Sequence, residues 1–363
     1  MNLVTEPLAI GSYSTDDVSL LLTDLGVRRD QPSDAQAPRH SPLSQPVARS
    51  THVRVQAEYR PSDAYLGMVR ELVSTCARQV ALLSATLAER ILARHGSQLV
   101  IVSIARAGTP AGVMVKRWIR FRHGLVIPHY SVSIAHRWGL DRSAVEWLCQ
   151  RYDPRTIQFL DAWTSKGLVQ AMIVSAVRSL GIRGLDPALA VLVDAGSCTN
   201  LFATRDDVLL PHASVGAIMS GLLSRTVFDP ADPRTRPFHG VKSFPELVVY
   251  DLSNAYIEAV SFQFHEITGD VPSCVLRANG LPRPDGRGRQ EALSLASRYR
   301  VDDSALIDVG ISEVTRAILR SKPRLLLLSV PLMTYPHLLH LVSERQIVMA
   351  HESAMSFSCA LIR

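Results

Sequence analysis

The sequence Ile157-Gln-Phe-Leu-Asp-Ala-Trp-Thr-Ser-Lys-Gly167 indicates the fold class more clearly than any other stretch of the chain. An apolar segment ends at Asp161, a short polar loop follows, and a helix-like apolar pattern runs from Leu168 to Leu180. Such a loop between a strand and a helix suits an anion, because backbone N–H groups and the positive end of the helix dipole point toward it. We therefore predict a strand–loop–helix unit of an α/β protein, with an anion site at the loop.

A second loop of the same kind lies upstream. Residues 99–104 form an apolar run that is typical of a buried parallel strand, and Ala105-Arg106-Ala107-Gly108 follows it directly. Gly108 permits backbone conformations that other residues avoid, and Arg106 offers a planar fork of donors for an oxyanion. Open α/β sheets bind ligands at the carboxyl ends of their strands, so the two loops predict one shared site.

Strand and helix patterns alternate through most of the chain, which predicts a doubly wound, mainly parallel sheet with a smaller C-terminal α/β domain. We expect an N-terminal helix (16–25) and a flexible Pro-rich segment within residues 1–54, the main domain over 55–275, and the smaller domain over 290–363. A stretch rich in Gly, Pro and Arg at 275–290 marks the predicted break. The predicted helices are 61–92, 112–121, 142–152, 168–180, 312–320 and 336–344, and the predicted strands are 99–104, 131–134, 156–160, 188–193, 324–329, 346–349 and 358–362.

Composition narrows the class of protein. The 363 residues are 47% hydrophobic and 20% charged, with a net charge of +6, which favours anionic ligands without choosing among them. The five cysteines are scattered and form no CxxC pair, as expected in a reducing compartment. No secretory signal and no apolar run of about 20 residues is visible. We therefore expect a cytoplasmic protein without a membrane partner.

These segments resemble a known family. Ile104–Gly108 is similar to the pyrophosphate loop of type I phosphoribosyltransferases, and the chain as a whole resembles the phosphoribosyltransferase-like proteins of bacterial tellurite-resistance and stress operons, which are labelled "cysteine protease StiP". The C-terminal part resembles the Pelota/L7Ae-type RNA-binding fold. The resemblance covers nearly the whole chain, and the phrases that carry it are Gly11–Val18, Arg106–Gly112, Pro128–Ile134, Gln158–Gly167, Ser220–Val227, Phe238–Gly240 and Glu313–Arg320.

The resemblance implies an enzyme that binds phosphoribosyl pyrophosphate with Mg²⁺ and transfers the phosphoribosyl group to an unknown, base-like acceptor in a stress or tellurite response. It assigns catalytic roles to Asp161, Arg106 and Arg137, and Asp161 would also bind the metal. The substrate-binding residues would be Ala105, Ala107, Gly108, Thr164, Ser165, Lys166 and Gly167. One departure weakens the assignment: most members carry a second acid where this chain has Ala162.

Two alternatives remain open at this point. The first is a cysteine protease with Cys198 as nucleophile, His129, His212 or His239 as base, and Asn200 or Asp194 as the orienting group. The second is a non-catalytic protein that binds a ligand or RNA. RNA contact through the C-terminal domain would involve Arg316, Arg320, Lys322 and Arg324, which could equally form a solvated basic face.

Overall fold

The computed structural model describes residues 11–27, 58–135, 138–228 and 238–363. Its helices are α1 Asp63–His95, α2 Gly108–His123, α3 Arg142–Cys149, α4 Leu168–Leu180, α5 Ser253–Phe262, α6 Phe264–Ile267, α7 Val271–Gly280, α8 Arg287–Arg298, α9 Ile311–Arg320 and α10 Pro336–Arg345. Its strands are β1 Ser19–Leu20, β2 Thr23–Val27, β3 Val100–Ala105, β4 His129–Ala135, β5 Gly139–Leu140, β6 Ile157–Trp163, β7 Leu189–Val193, β8 Leu201–Thr204, β9 Ser224–Val227, β10 Gly240–Ser243, β11 Ile307–Val309, β12 Leu325–Leu328, β13 Met349–His351 and β14 Cys359–Ile362.

The main sheet has the order β1-β4-β3-β6-β7-β8, with β5 joined to β4. All of its pairings among the described residues are parallel except that of β5 with β4. Strands β2, β10 and β9 form a small separate sheet, and β11-β14-β12-β13 form the sheet of the C-terminal domain. The predicted α/β class, with a mainly parallel sheet and a smaller C-terminal domain, is confirmed.

The central strands are largely apolar because both faces of the sheet are covered. Ile101 and Leu160 belong to the apolar layer that contains α1 and α2, whereas Val102 and Phe159 belong to the opposite layer, with α3 and α4. Successive side chains of a strand point to opposite faces, so a strand buried on both sides is apolar at most positions instead of at every second one. This is the pattern that made β3, β6 and β7 predictable.

The predicted helix over 16–25 is wrong. Residues 19–20 form β1, which pairs in parallel with β4, and β2 pairs with β10. Leu21 packs into the layer with α3 and α4, while its neighbours Leu20 and Leu22 pack into the layer with α1 and α2. Adjacent residues whose side chains face opposite layers require an extended chain. The prediction of a helix considered only the three- and four-residue spacing of the apolar residues. The predicted flexible segment lies almost entirely outside the described residues.

The stretch 275–290 is not an open linker. Most of it belongs to α7 and α8, and the short connection between them is bound to the main domain. Arg205 Nη1 donates to the carbonyl of Pro282 at 2.5 Å, and the Gly286 N–H donates to the carbonyl of Ser197 at 2.9 Å. The chain therefore passes along the carboxyl edge of the main sheet before it enters the C-terminal domain.

The C-terminal domain packs directly on the main domain. Val314 and Ile318 of α9 share one apolar cluster with Leu210 and Ala213, which lie near a short 3₁₀ turn over Pro211–Ser214. Ser312 Oγ also accepts a hydrogen bond from the Leu210 N–H at 3.0 Å. No helix in the part of the chain that the structure describes is long and apolar enough to cross a membrane.

Candidate functional site at the carboxyl edge of the sheet

Asp161 lies near the carboxyl end of β6 and is only 7% exposed. Its Oδ1 accepts a hydrogen bond from the N–H of the next residue, Ala162, at 2.8 Å. Burial raises the pKa of Asp161 to about 7, although this hydrogen bond and the positive charge of Arg316 act in the opposite direction. The carboxyl group can therefore gain or lose a proton near neutral pH.

The turn from β3 into α2 packs against the carboxyl end of β6. The Ala105–Arg106 peptide bond is cis, and α2 begins at Gly108. A Cβ atom at Gly108 would lie 2.8 Å from the carbonyl oxygen of Leu160, so only glycine lets α2 approach β6 so closely. The structure thus brings Gly108 to Asp161, as the sequence predicted.

Arg106, however, points elsewhere. Its guanidinium donates to the carbonyl of Ser224 at 2.7 Å and to Glu58 Oε1 at 2.8 Å, and both charged side chains are 7% exposed. Burial raises the pKa of Glu58, but the charges of Arg106, Arg225 and Arg320 together lower it below its usual value. Arg106 is thus held in a buried ion pair in this form.

The loop over 164–167 connects β6 to α4. The Thr164 N–H donates to the carbonyl of Val193, and Gly167 adopts φ +74° where the helix begins. Lys166 Nζ donates to the carbonyl of Ile307 and lies 3.3 Å from Asp308 Oδ1, with both charged side chains nearly buried. The ammonium group therefore connects the loop to the C-terminal domain. The sequence had suggested that Lys166 binds a phosphate group.

Cys198 lies in the loop after β7, beside the loop over 164–167. Its Sγ is 3.6 Å from the position that a Cβ atom would take at Gly167. Burial raises the pKa of the Cys198 thiol to about 12, and Asp194 adds to this effect, while the Thr164 hydroxyl and Arg205 oppose it. The thiol is therefore protonated at neutral pH.

Asp194 organises the Cys198 loop. It is fully buried, and its two oxygens accept the N–H groups of Cys198 at 2.7 Å and Thr199 at 3.2 Å. Arg205 Nε lies 3.3 Å from Oδ2. Burial raises the pKa of Asp194 to about 6 against these three donors. Ser197, inside the same loop, has φ +53°, a conformation that non-glycine residues seldom adopt.

The predicted protease bases are not at this thiol. His129 contacts Ser103 Oγ at 2.8 Å, His212 faces the Tyr256 hydroxyl at 3.2 Å, and His239 contacts Ser133 Oγ at 2.9 Å. Burial lowers the pKa of these three imidazoles to about 3, 3 and 4. Within the described residues, no histidine hydrogen-bonds Cys198. Of the predicted partners, the structure places Asp194 alone against the Cys198 backbone.

A cavity of about 500 Å³ opens between the sheet edge and α9. Asp161, Trp163 and Lys166 line one side of it, and Arg316 and Arg320 line the other. Its remaining charged side chains are Arg225, Asp308, Glu313 and Arg363.

Glu313 connects the two sides of the cavity. Trp163 Nε1 donates to Glu313 Oε2 at 2.7 Å, and Arg316 Nη2 donates to Oε1 at 2.8 Å. The Arg316 guanidinium also lies 5.4 Å from the Trp163 ring centroid. Burial raises the pKa of Glu313, but Arg316 and the Trp163 N–H outweigh it and hold the value at about 2. Glu313 is therefore ionised at neutral pH.

The four basic residues that were predicted to contact RNA do not form one cluster. Arg316 and Arg320 line the cavity, whereas Lys322 and Arg324 are exposed beyond the end of α9. Arg316 and Arg320 were therefore assigned to the wrong surface. Sequence spacing shows that the four residues are neighbours in the chain, but it does not show which of them face the main domain.

The sequence interpretation missed the roles of Glu58, Arg225, Glu313 and Arg363. Arg225 and Glu313 stood in phrases that carried the family resemblance, and the spacing of Glu313 and Arg316 by three residues favours an ion pair on one helix face. Glu58 and Arg363 gave no signal, since their contacts depend on tertiary structure.

The predicted Mg²⁺ site does not fit well here. The described residues contain no group of three or more His, Cys, Asp or Glu side chains that could hold a metal ion. Asp161, the predicted ligand, has the positive charge of Arg316 for a neighbour. Arg137 lies outside the described residues, so its catalytic role stays a prediction.

Residues 11–261 match the family described as "Tellurite-like stress resistance cysteine protease StiP". The chain belongs to this family. Residues 286–363 match the PELOTA RNA binding domain. A StiP-family relative from Acinetobacter baylyi, named "Cysteine protease StiP", is 28% identical over 330 residues, which cover 88% of this chain and 84% of the relative. No solved structure matches the chain.

These matches correct the main functional prediction. The family and its relative are named for a cysteine protease, so the predicted phosphoribosyltransferase activity is wrong, and nothing supports phosphoribosyl pyrophosphate or a base-like acceptor as ligands. The association with tellurite-like stress resistance agrees with the prediction.

Proposed function

We propose that this StiP-family chain is a cysteine protease of stress resistance and that Cys198 is its nucleophile. The observation that carries the proposal is the match of residues 11–261 to a family named for this activity. The position of Cys198 supports the choice of nucleophile. Of the five cysteines, it alone lies in a loop at the carboxyl edge of the main sheet, whereas the others lie in α1, α3, α7 and β14.

The proposed reaction begins with deprotonation of the Cys198 thiol. The thiolate attacks the peptide carbonyl, the amine leaves with a proton, and water then hydrolyses the thioester. Among the described residues no imidazole hydrogen-bonds the sulfur, so the proposed proton acceptor is a group of the substrate, a side chain that moves on substrate binding, or a residue outside the described ranges. The Asp194 carboxylate holds the Cys198 backbone N–H and so fixes where the sulfur is presented.

Proteolysis can be tested with the full-length chain and denatured casein, by reading new peptide termini with mass spectrometry. We expect cleavage by the wild type and loss of cleavage in Cys198→Ala. Cys274→Ala, which changes a cysteine of similar partial exposure in α7, serves as the matched control and should cleave normally. Cleavage that persists in Cys198→Ala, or a wild type that cleaves nothing, would overturn the proposal.

We also propose RNA contact by the C-terminal domain, supported by the match of residues 286–363 and by the exposed Lys322 and Arg324. Filter binding of single-stranded RNA at about 50 and 200 mM salt tests this proposal. The logarithm of the binding constant falls linearly with the logarithm of the salt concentration, and each lost phosphate contact reduces that slope by about one unit. Binding should weaken, and its slope should fall, in Lys322→Glu/Arg324→Glu. The control is Arg183→Glu in the main domain; equal binding by both variants would argue against this surface.

A further inference from the structure

The cavity between the sheet edge and α9 carries an excess of positive charge. Its lining includes five cationic side chains, Lys166, Arg225, Arg316, Arg320 and Arg363, but only three carboxyl groups, Asp161, Asp308 and Glu313. The excess grows when Asp161 is protonated, which occurs over the neutral range because burial raises its pKa to about 7.

The like charges are close enough to disfavour one another. Burial lowers the pKa of Arg320 well below its usual value, and the positive charges of Arg316, Arg106 and Arg225 contribute to this decrease. The negative charge of Glu58, which is paired with Arg106, opposes this decrease. A bound anion would reduce this repulsion, and the low dielectric of a partly enclosed site would strengthen its attraction to the guanidinium groups.

The guanidinium groups here already bind carboxylate oxygens. Arg316 donates to Glu313, and Arg106 donates to Glu58. Planar donor forks of this kind suit both carboxylate and phosphate groups. A volume of about 500 Å³ lies within the range of small-molecule sites.

We propose that this cavity binds a small ligand with two or more negatively charged oxygens, and that the C-terminal domain completes the site by supplying Arg316 and Arg320. The two matched regions of the chain then form one binding site, with Arg225 contributed by the main domain. The proposal is independent of proteolysis, since Cys198 is not among the cavity-lining residues and Cys198→Ala should bind the ligand as the wild type does.

Isothermal titration of the full-length chain with inorganic triphosphate and with citrate, at matched ionic strength, tests the proposal and separates phosphate from carboxylate ligands. Binding of either probe supports it, and the stronger probe identifies the group recognised. Arg320→Gln and Arg225→Gln should each weaken that binding by about tenfold to a hundredfold, because each removes a hydrogen bond to a charged group. Arg183→Gln, which alters an exposed cation of the main domain outside the cavity lining, should leave it unchanged.

Two results would overturn the proposal: no binding of either probe at about 10 mM, or equal affinity in Arg225→Gln and the wild type. Thermal melting of each variant shows whether it is folded. If Arg320→Gln does not fold, Arg225→Gln carries the test, because Arg225 lines the cavity from β9 of the main domain.

Discussion

At the scale of single residues, the site combines a protonated thiol with carboxyl groups whose pKa values are moved in opposite directions. Burial raises the pKa of Asp161 and Asp194, whereas Arg316 and the Trp163 N–H hold that of Glu313 at about 2. Perturbed groups that gather in one place are typical of functional sites. Their different environments, more than their residue types, decide which of them exchanges protons near pH 7.

Cys198 should react slowly with iodoacetamide at neutral pH. Because its thiol has a pKa of about 12, the labelling rate should rise about tenfold per pH unit from pH 7.5 to 9.5 without levelling off. Mass spectrometry of the peptide that contains Cys198 gives the rate, and N-acetylcysteine, which levels off near its ordinary pKa, is the reference. A plateau below pH 8 would show a thiol that is activated in a way the described contacts do not provide.

Asp161→Asn should stabilise the protein at high pH. The carboxyl group of Asp161 titrates near pH 7 when folded and near 3.8 when unfolded, so the wild type loses stability as pH rises through this interval. The variant's gain in free energy of unfolding over the wild type should be smallest at pH 4 and should grow up to about pH 7.5. It should reach at most about 4 kcal/mol there and then level off. Urea unfolding across this range measures it, and the exposed Asp302→Asn is the control. An advantage that does not change with pH would contradict the assignment.

At the scale of elements, sequence patterns predicted six of the ten described helices and half of the described strands, with the central strands predictable because both faces of the sheet are covered. The largely apolar runs in β3, β6 and β7 each identified an element. Helical spacing in residues 16–25 misled, because Leu21 and Leu22 serve opposite layers of one sheet. The loops at the strand ends were predicted, but the partners of Arg106 and Lys166 were not, since these partners lie 48 and 142 residues away in the sequence.

Gly108→Ala should destabilise the junction of α2 with β6. The added methyl group would lie 2.8 Å from the Leu160 carbonyl oxygen and 3.0 Å from Asp161 Cα, both backbone atoms that cannot turn away. We expect a loss of about 1–3 kcal/mol in free energy of unfolding, measured with urea.

Gly67→Ala is the matched control for this substitution. Gly67 lies in α1 with nothing within 4 Å of an added Cβ atom, so alanine should stabilise the protein there by about 0.5–1 kcal/mol. Equal effects at the two positions would mean that the close approach of α2 to β6 does not constrain residue 108.

At the scale of the whole molecule, the C-terminal domain is part of the core and of the cavity wall. The apolar cluster on one face of the main sheet continues into α9, α10 and the C-terminal sheet. Polar contacts add to it: Asp207 accepts the N–H groups of Ile311 and Ser358, and Tyr59 donates to Glu344 at 2.6 Å. The sequence predicted a domain break at 275–290 without this packing, because apolar periodicity identifies buried faces but does not show which other element covers them.

The full-length chain should therefore unfold in a single transition, and a fragment over 1–275 should be markedly less stable, since it exposes the apolar surface that α9 covers. Differential scanning calorimetry of both proteins measures this. Two separate transitions in the full chain, or a fragment with the melting temperature of the intact protein, would show that the C-terminal domain folds and docks independently.

Trp163 gives the molecule an optical probe of its own. The indole is only 7% exposed, its N–H is bound to Glu313, and its ring lies near Arg316 and His212, so its emission depends on whether α9 is seated against the sheet edge. Ligand exchange in the cavity, or any displacement of the C-terminal domain, changes the polarity around this one chromophore. The chain also contains Trp118, Trp138 and Trp147, so the difference in emission between the wild type and Trp163→Phe isolates this indole. That difference can follow the joining of the two regions in real time and without an attached dye.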